Sequence, residues 1–185
     1  MVTEWEGYAT AQVWRPASYP GLVLYRVSGR ATSQALHVHD ELQLTLDAGH
    51  VQQVSCGGAN LMAPPGSLVV IPPGEVHALR GEGGRPGVSC GMLVPAAYLR
   101  GAAPSGQVVQ EVEGESPPEE LLLGGGAVLD DPEVARDFVA LHRALRAPGL
   151  LKEPRLWALL SALLSRLETG QAGFKRGNAA SQASP

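Results

Sequence analysis

The chain has 185 residues, 44% of them hydrophobic, and a formal net charge of −4 at pH 7. This length allows one domain with its own core, and the acidic balance argues against tight DNA binding by the chain itself. Cys56 and Cys90 form no Cys-x-x-Cys pair, so we expect reduced structural thiols rather than a disulfide framework or a zinc knuckle.

The amino terminus lacks the basic residues and apolar run of a signal peptide. The longest apolar run, around Leu156 to Leu164, is interrupted by Ser161 and is too short to span a bilayer. We therefore expect a cytoplasmic protein without a membrane partner.

Residues 1–100 carry short apolar runs separated by Gly, Pro and Asp, a pattern typical of an all-β domain. Eight strands without an intervening helix favour a barrel or a sandwich. The predicted strands are Ala9–Trp14, Leu22–Val27, Leu36–Leu46, Val51–Val54, Asn60–Met62, Ser67–Ile71, Val76–Arg80 and Val88–Val94. Pro95–Leu99 has the composition of a single helical turn.

The segment Leu36–Leu46 has one polar and one apolar face, because alternate residues of a strand point the same way. The odd positions are polar: His37, His39, Glu41, Gln43 and Thr45. In one interpretation the leucines at the even positions face the core and the histidines face water. In the other, the polar face lines a ligand-binding lumen and the carboxy-terminal helices cover the leucines.

The stretch Pro65–His77 favours the lumen. A glycine, five strand-like residues and a Pro-Pro-Gly turn place His77 at the start of another strand, so that His37, His39 and His77 can converge. Neutral imidazoles bind Zn, Fe, Mn and Ni, which makes these three histidines a candidate site for a divalent transition metal.

These two stretches resemble the paired motifs of the cupin superfamily. The first motif is matched by Gly29, His37-Val-His39 and Gly49, and the second by Gly66, Pro72-Pro-Gly74 and His77. Gln43 stands where metal-binding cupins have a Glu ligand, and Gly81 stands where an Asn often closes the second motif. The resemblance implies a mainly β fold, a cupin-like double-stranded β-barrel (jelly roll).

The carboxy-terminal part predicts an antiparallel helical hairpin over residues 131–170. Asp131 is placed to cap a first helix that begins at Pro132 and ends before Pro148-Gly149. A second helix runs from about Pro154 to Glu168 and carries a wide leucine stripe, which is covered either within the chain or by a second subunit. His142 is interpreted as an ordinary residue of the amphipathic face.

The order of these features resembles the amino-terminal domain of AraC-type transcription regulators. The resemblance implies a ligand-binding barrel over residues 1–115, a linker over 116–130 and a dimerisation hairpin, with a disordered tail over 171–185. It implies a homodimer through residues 131–168, and DNA binding through a domain that we do not find in this chain. It also suggests that the first residues, including Trp5, Tyr8 and Trp14, form an arm over the pocket, although edge-strand packing is their simpler role.

Within the barrel, we expect a small-molecule effector to contact His37, His39, Gln43 and His77, with Glu41 on the same face as a further candidate. The alternative is a metal-dependent cupin enzyme, such as a small dioxygenase or isomerase, that uses His37, His39 and His77. Gln43 counts against the enzyme, because an amide is a poorer transition-metal ligand than a carboxylate.

Overall fold

The computed structural model describes residues 8–31, 33–102, 126–147, 153–169 and 174–176. The strands are β1 (Tyr8–Trp14), β2 (Val23–Gly29), β3 (Ser33–His37), β4 (Glu41–Asp47), β5 (Val51–Cys56), β6 (Ala59–Ala63), β7 (Leu68–Ile71), β8 (His77–Glu82), β9 (Gly87–Pro95), β10 (Ala127–Leu129) and β11 (Phe174–Arg176). The helices are α1 (Ala96–Ala102), α2 (Pro132–Arg146) and α3 (Glu153–Thr169). Trp5 and most of the predicted linker lie outside the described residues.

The strands form two antiparallel sheets that face each other. One sheet has seven strands in the order β1-β2-β9-β4-β7-β10-β11, and the other has four in the order β3-β8-β5-β6. Within the described part of the chain, the hydrogen bonding is divided between these sheets and does not close into one ring. The result is the predicted mainly β jelly roll, and we call the space between its two sheets the lumen.

The segment Leu36–Leu46, predicted as one strand, is two strands in different sheets. β3 ends at His37, residues 38–40 cross between the sheets, and β4 begins at Glu41. The His39 carbonyl in this crossing accepts a hydrogen bond from the Gly74 amide at 2.9 Å, which ties it to the turn before β8. Because the strand is broken, Leu36 is 69% exposed and does not share the buried face of the later leucines.

The leucine face of β4 packs against the helices, as predicted. Leu42, Leu44 and Leu46 belong to one buried cluster with Phe138 of α2 and Leu160 of α3. Complete burial of a leucine contributes about 1.5–3 kcal/mol, so this contact is a major part of the attachment of the helices to the sheet. Gln43 and Thr45 point the other way, into the lumen.

The two helices begin and pack largely as the sequence predicts. The Asp131 carboxylate accepts hydrogen bonds from the amides of Glu133 and Val134 at 2.9 and 3.2 Å, and Pro132 occupies the first turn of α2. In α3 the leucines at positions 156, 159, 160 and 163 are all buried within the chain. Their burial removes much of the apolar surface that suggested a second subunit. No helix of the described residues is long and apolar enough to cross a membrane.

Two short strands occupy segments for which no strand was predicted. Ala127–Leu129, inside the predicted linker, is buried and pairs with β7, and Phe174–Arg176, inside the predicted disordered tail, pairs with β10. The tail prediction is therefore wrong for residues 174–176. Three-residue strands give no usable alternation, and their stability comes from the neighbouring strand rather than from their own composition.

Candidate functional site

Three histidines meet in the lumen. His37 at the end of β3 and His77 at the start of β8 are directly opposite each other in the sheet. Their ring centroids are 4.2 Å apart, and the centroid of His39, from the crossing after β3, lies 4.9 Å from that of His77 and 5.7 Å from that of His37. One ring nitrogen of each histidine lies within 4.8 Å of the others, so the predicted convergence of the three imidazoles is confirmed.

A turn with a required glycine places His77. Gly74 has φ of +75°, a left-handed conformation that glycine adopts without a steric penalty. No atom lies within 4 Å of a Cβ added at Gly74, so the backbone angle, and not lack of space, calls for glycine here. The Pro-Pro-Gly motif thus serves as the turn that delivers His77 to the lumen.

The backbone fixes the protonation pattern of the three rings. The Nδ1 atoms of His37, His39 and His77 lie 2.7, 2.9 and 2.8 Å from the carbonyl oxygens of Ala35, Glu41 and Glu75, respectively. A carbonyl oxygen only accepts, so each Nδ1 carries the hydrogen. In a neutral ring, Nε2 then presents a lone pair.

Gln43 joins two of these rings. Its side chain is 2% exposed, and its Oε1 lies 2.8 Å from His39 Nε2 and 3.1 Å from His77 Nε2. Contact between an amide oxygen and two lone pairs is unfavourable unless the amide turns its NH2 group towards the rings or a cation lies among the acceptors. Gln43 therefore has two chemically consistent states, one donating to the histidines and one sharing a metal ion with them.

Burial keeps His77 neutral. Its side chain is fully buried, and desolvation lowers the pKa of His77 to about 4, with further lowering by His37 and His39 and an opposing contribution from the hydrogen bond to the Glu75 carbonyl. A neutral imidazole both binds metals and accepts hydrogen bonds from a ligand. Protonation of His77 by itself is not available as a counter-charge for an anion at neutral pH.

Glu41 lies at the rim of the cluster. Its side chain is 35% exposed, and its Oε2 is 3.7 Å from His39 Nδ1, the nitrogen that already donates to the Glu41 carbonyl. The structure therefore brings His37, His39, Gln43 and His77 together and places Glu41 beside His39 at the edge of this group.

Tyr25 and Thr45 complete the polar cluster, and the sequence reasoning assigned neither to the site. The Tyr25 hydroxyl lies 2.7 Å from Thr45 Oγ1, and Gln43 Nε2 lies 3.3 Å from the Tyr25 hydroxyl and 3.1 Å from Thr45 Oγ1. These two hydroxyls donate to the amide oxygen or accept from the amide nitrogen, so they support Gln43 in either state.

A glycine allows Tyr25 to reach this position. Tyr25 of β2, Gly91 of β9 and Thr45 of β4 form one row across the sheet. A Cβ at Gly91 would lie 1.8 Å from Tyr25 Cζ and 2.2 Å from its hydroxyl oxygen. The Tyr25 ring thus lies across β9 at the one position in the row without a side chain.

His142 connects the same tyrosine to α2. The sequence interpretation of His142 as an ordinary amphipathic-face residue is wrong, because its side chain is 1% exposed and its Nε2 donates to the Tyr25 carbonyl at 3.0 Å. Its ring meets the Trp14 ring edge-on at a centroid distance of 6.2 Å, and the Arg146 guanidinium lies 4.8 Å above the Trp14 ring. Tyr25 therefore contacts the pocket with its side chain and the helix with its backbone.

Next to the histidines the lumen is apolar. Cys56 is directly opposite His77 in the sheet, and burial raises the pKa of the Cys56 thiol to about 11. Both cysteines are free, as predicted, and this pKa excludes Cys56 as a thiolate nucleophile at neutral pH. The apolar lumen cluster contains Val54, Cys56, Leu61, Ala63, Val69, Ile71, Leu79 and Val128.

Fold and site together define a cupin-like domain whose lumen holds imidazole, amide and hydroxyl groups. A model of the AraC-like ligand binding domain matches residues 19–178, and the chain therefore belongs to this family. Among curated proteins, no sequence matches the chain.

Two structures of ToxT from Vibrio cholerae share the fold. An apo variant of ToxT is 9% identical, with a TM-score of 0.57 over 80% of this chain and 56% of that chain. ToxT with a bound unsaturated fatty acid is 10% identical, with a TM-score of 0.55 over 89% of this chain and 57% of that chain. The chain thus spans little more than half of the length of ToxT.

A Cupin 2 conserved barrel domain protein from Salinispora arenicola is 20% identical, with a TM-score of 0.39 over 47% of this chain and 76% of that chain.

Proposed function

We propose that this domain is the effector-sensing part of an AraC-type transcription regulator, with the effector bound by His37, His39, Gln43 and His77. Glu41 contributes from the rim, and Tyr25 and Thr45 support Gln43. One observation carries the proposal: three imidazole rings converge between the sheets, and two of them, His39 and His77, contact the buried Gln43 amide. This cluster lies within the fold of a ligand-binding family. By analogy, a ToxT structure holds a small molecule, an unsaturated fatty acid.

The proposed mechanism is a population shift. An effector that contacts Gln43 or Tyr25 in the lumen favours one position of the Tyr25 backbone, whose carbonyl is bound to His142. α2 and the Trp14 end of β1 respond together, because His142 belongs to α2 and its ring contacts Trp14. In the proposal, residues 131–168 mediate a homodimer, a separate domain binds DNA, and the protein acts in the cytoplasm.

A binding experiment tests the pocket. Thermal denaturation of the wild-type chain in the presence of a small-molecule library identifies compounds that raise Tm in a saturable way. The His37→Ala, His39→Ala and His77→Ala variants should each lose most of that rise. Asp40→Ala is the matched control, because Asp40 is exposed in the same crossing segment and should keep the response. A rise in Tm that survives the combined loss of all three histidines contradicts the pocket assignment.

Light scattering at micromolar concentration tests the dimer, and a mass equal to one chain contradicts it. The reading frame beyond Pro185 tests the DNA-binding proposal, which expects about 100 further residues with two helix-turn-helix patterns.

The donor set also fits a divalent transition metal, which we propose as a resident or effector-linked ion. The Nε2 atoms of His37, His39 and His77 have lone pairs free of the backbone, and Gln43 Oε1 supplies a fourth donor at ligand-to-ligand separations of 2.8 and 3.1 Å from two of them. Neutral imidazole suits Zn, Fe, Mn and Ni. When bound, such an ion would polarise an oxygen of the effector as a Lewis acid.

The same donor set is the reason to retain a second candidate, a metal-dependent cupin enzyme such as a small dioxygenase or isomerase. Elemental analysis of protein purified without an affinity tag separates the possibilities. Stoichiometric metal that disappears in His77→Ala but not in Asp40→Ala supports the metal site, and the absence of stoichiometric metal argues against the enzyme.

A further inference from the structure

Two glutamines in the lumen have buried amide oxygens without a partner. In the described residues, four buried side-chain polar atoms lack a hydrogen-bond partner, and two of them are Gln34 Oε1 and Gln52 Oε1. The Gln52 side chain is only 8% exposed. A buried acceptor left unpaired is costly, so native proteins usually supply it with a donor from the protein, from water or from a ligand.

Strand register directs both side chains into the lumen. Gln52 of β5 is opposite Ala63, and Gln34 of β3 is opposite Leu79, and both partners belong to the apolar lumen cluster. Gln34 and His37 are three residues apart and would face opposite sides of a regular strand. An irregularity in β3 between them lets both face inward.

The two glutamines lie on either side of β8, because β8 is between β3 and β5 in the sheet. Gln52 is opposite Gly81, and Gln34 is opposite Leu79, the neighbouring inward-facing position of β8. Their long side chains are therefore diagonal neighbours across β8, and one ligand can contact both amides.

Around Gln34 and Gln52, the part of the chain that the structure describes supplies acceptors and no buried Lys or Arg side chain. Arginines of the described residues are mostly exposed, and the half-buried Arg26 and Arg146 lie outside the lumen, beside Cys90 under α2. A carboxylate has no hydrogen to donate to these amide oxygens, whereas hydroxyl groups would satisfy the acceptors without burying charge.

We propose that Gln34 and Gln52 form a second binding subsite that accepts hydrogen bonds from the hydroxyl groups of an uncharged, polyhydroxylated ligand. This inference rests on the proposed effector-binding function and specifies the chemical class of the effector. Such a subsite differs from one suited to a fatty acid, because its amide oxygens bind hydrogen-bond donors, whereas an alkyl chain and a carboxylate have none to offer.

Two single substitutions test the subsite. Gln34→Met and Gln52→Met keep the length of the side chain and remove the acceptor. Gln53→Met is the matched control, because Gln53 is the next residue of β5 and is opposite the exposed Met62 on the outer face. The probes are erythritol, xylitol, myo-inositol, D-xylose and D-glucose, with oleate and citrate as acidic comparisons.

The expected result has two parts. In the unliganded protein, Gln52→Met raises Tm, because it removes an unpaired buried acceptor. In calorimetric titrations, at least one neutral probe binds the wild type, and Gln34→Met and Gln52→Met each weaken its Kd by roughly fivefold to tenfold, the loss expected for one hydrogen bond. Gln53→Met changes the Kd by less than about twofold.

Other outcomes overturn the proposal in distinguishable ways. If oleate or citrate binds through His37 and His77 while the neutral probes do not, the subsite assignment fails and the effector-sensing function stands. If a neutral probe binds the Gln52→Met variant as tightly as the wild type, the probe does not donate a hydrogen bond to Gln52, and the subsite assignment fails. If no neutral probe binds the wild type, the subsite proposal fails, and the library screen with the histidine variants decides the effector-sensing function separately.

Discussion

Gly91→Ala should destabilise the domain by displacing the Tyr25 ring. A Cβ at position 91 would lie 1.8 Å from Tyr25 Cζ and 2.3 Å from Cε1, so the ring, which is 5% exposed, must leave its place. The move breaks the hydrogen bonds of its hydroxyl with Thr45 and Gln43. Gly91 is not among the glycines with positive φ, so alanine meets no backbone penalty there.

The size of the effect follows from the displaced ring. Loss of a buried aromatic side chain costs about 3–5 kcal/mol, and we expect Gly91→Ala to lose about 3 kcal/mol of unfolding free energy because the ring keeps some of its packing. In a Tyr25→Ala background the obstacle is gone, and Gly91→Ala should change stability by less than about 1 kcal/mol. The expected coupling energy is thus about 2–3 kcal/mol.

Gly91→Ala, Tyr25→Ala, the double variant and the wild type form a double-mutant cycle. Urea unfolding followed by tryptophan fluorescence measures the stability of all four proteins. Trp14, which lies beside His142, provides a local signal. Additive effects of Gly91→Ala and Tyr25→Ala would refute the argument that the glycine exists to accommodate the tyrosine ring.

The remaining predictions concern the pH dependence of stability and the buried pair of His50 and Asp47. Burial lowers the pKa values of His77 and His142 to about 4, below the unfolded value of 6.5, so the unfolding free energy is greatest above pH 6.5 and falls as the pH drops towards 4; His142→Phe should flatten this slope in urea titrations. His50 behaves in the opposite way: burial lowers its pKa, but hydrogen bonds to the Arg85 carbonyl and the Asp47 carboxylate raise it more, so its contribution is full below pH 6.5 and declines as the pH rises through the folded value. Asp47→Asn should lower the pKa of His50 in an NMR titration and cost about 1–3 kcal/mol, and an unchanged His50 titration would contradict the ion pair.

The sequence predicts the histidine cluster well, because each histidine follows from a local pattern. Alternation predicts that His37 and His39 share one side, which holds although His39 lies in the crossing after β3, and the Pro-Pro-Gly turn places His77 at the start of a strand. The cupin-like motif order supplies the pairing of β3 with β8, which local patterns do not specify. Gln43 follows from the same alternation.

Features that depend on register escaped the sequence reasoning. Tyr25 enters the site only because it lies in one row with Gly91 and Thr45. These three residues belong to strands β2, β9 and β4, which are not consecutive in the chain. The irregularity before His37, which also turns Gln34 inward, leaves no mark in the residue pattern. The break after His37 was hidden because the polar and apolar alternation continues through the crossing.

The burial of His142 did have a signal. It lies four residues after Phe138, and such neighbours share a face of a helix. The sequence interpretation gave His142 no particular partner, whereas the Tyr25 carbonyl of the packed sheet accepts its hydrogen bond.

The most direct test of the effector site is an NMR measurement of the five imidazoles. Long-range ¹H–¹⁵N spectra are recorded before and after addition of the compound that gives the largest saturable rise in Tm. If the lumen histidines bind the effector, the ring signals of His37, His39 and His77 shift on addition, with Nδ1 protonated throughout, while the ring of His50 stays unchanged. A compound that raises Tm and leaves these three rings unperturbed would show that the effector binds elsewhere.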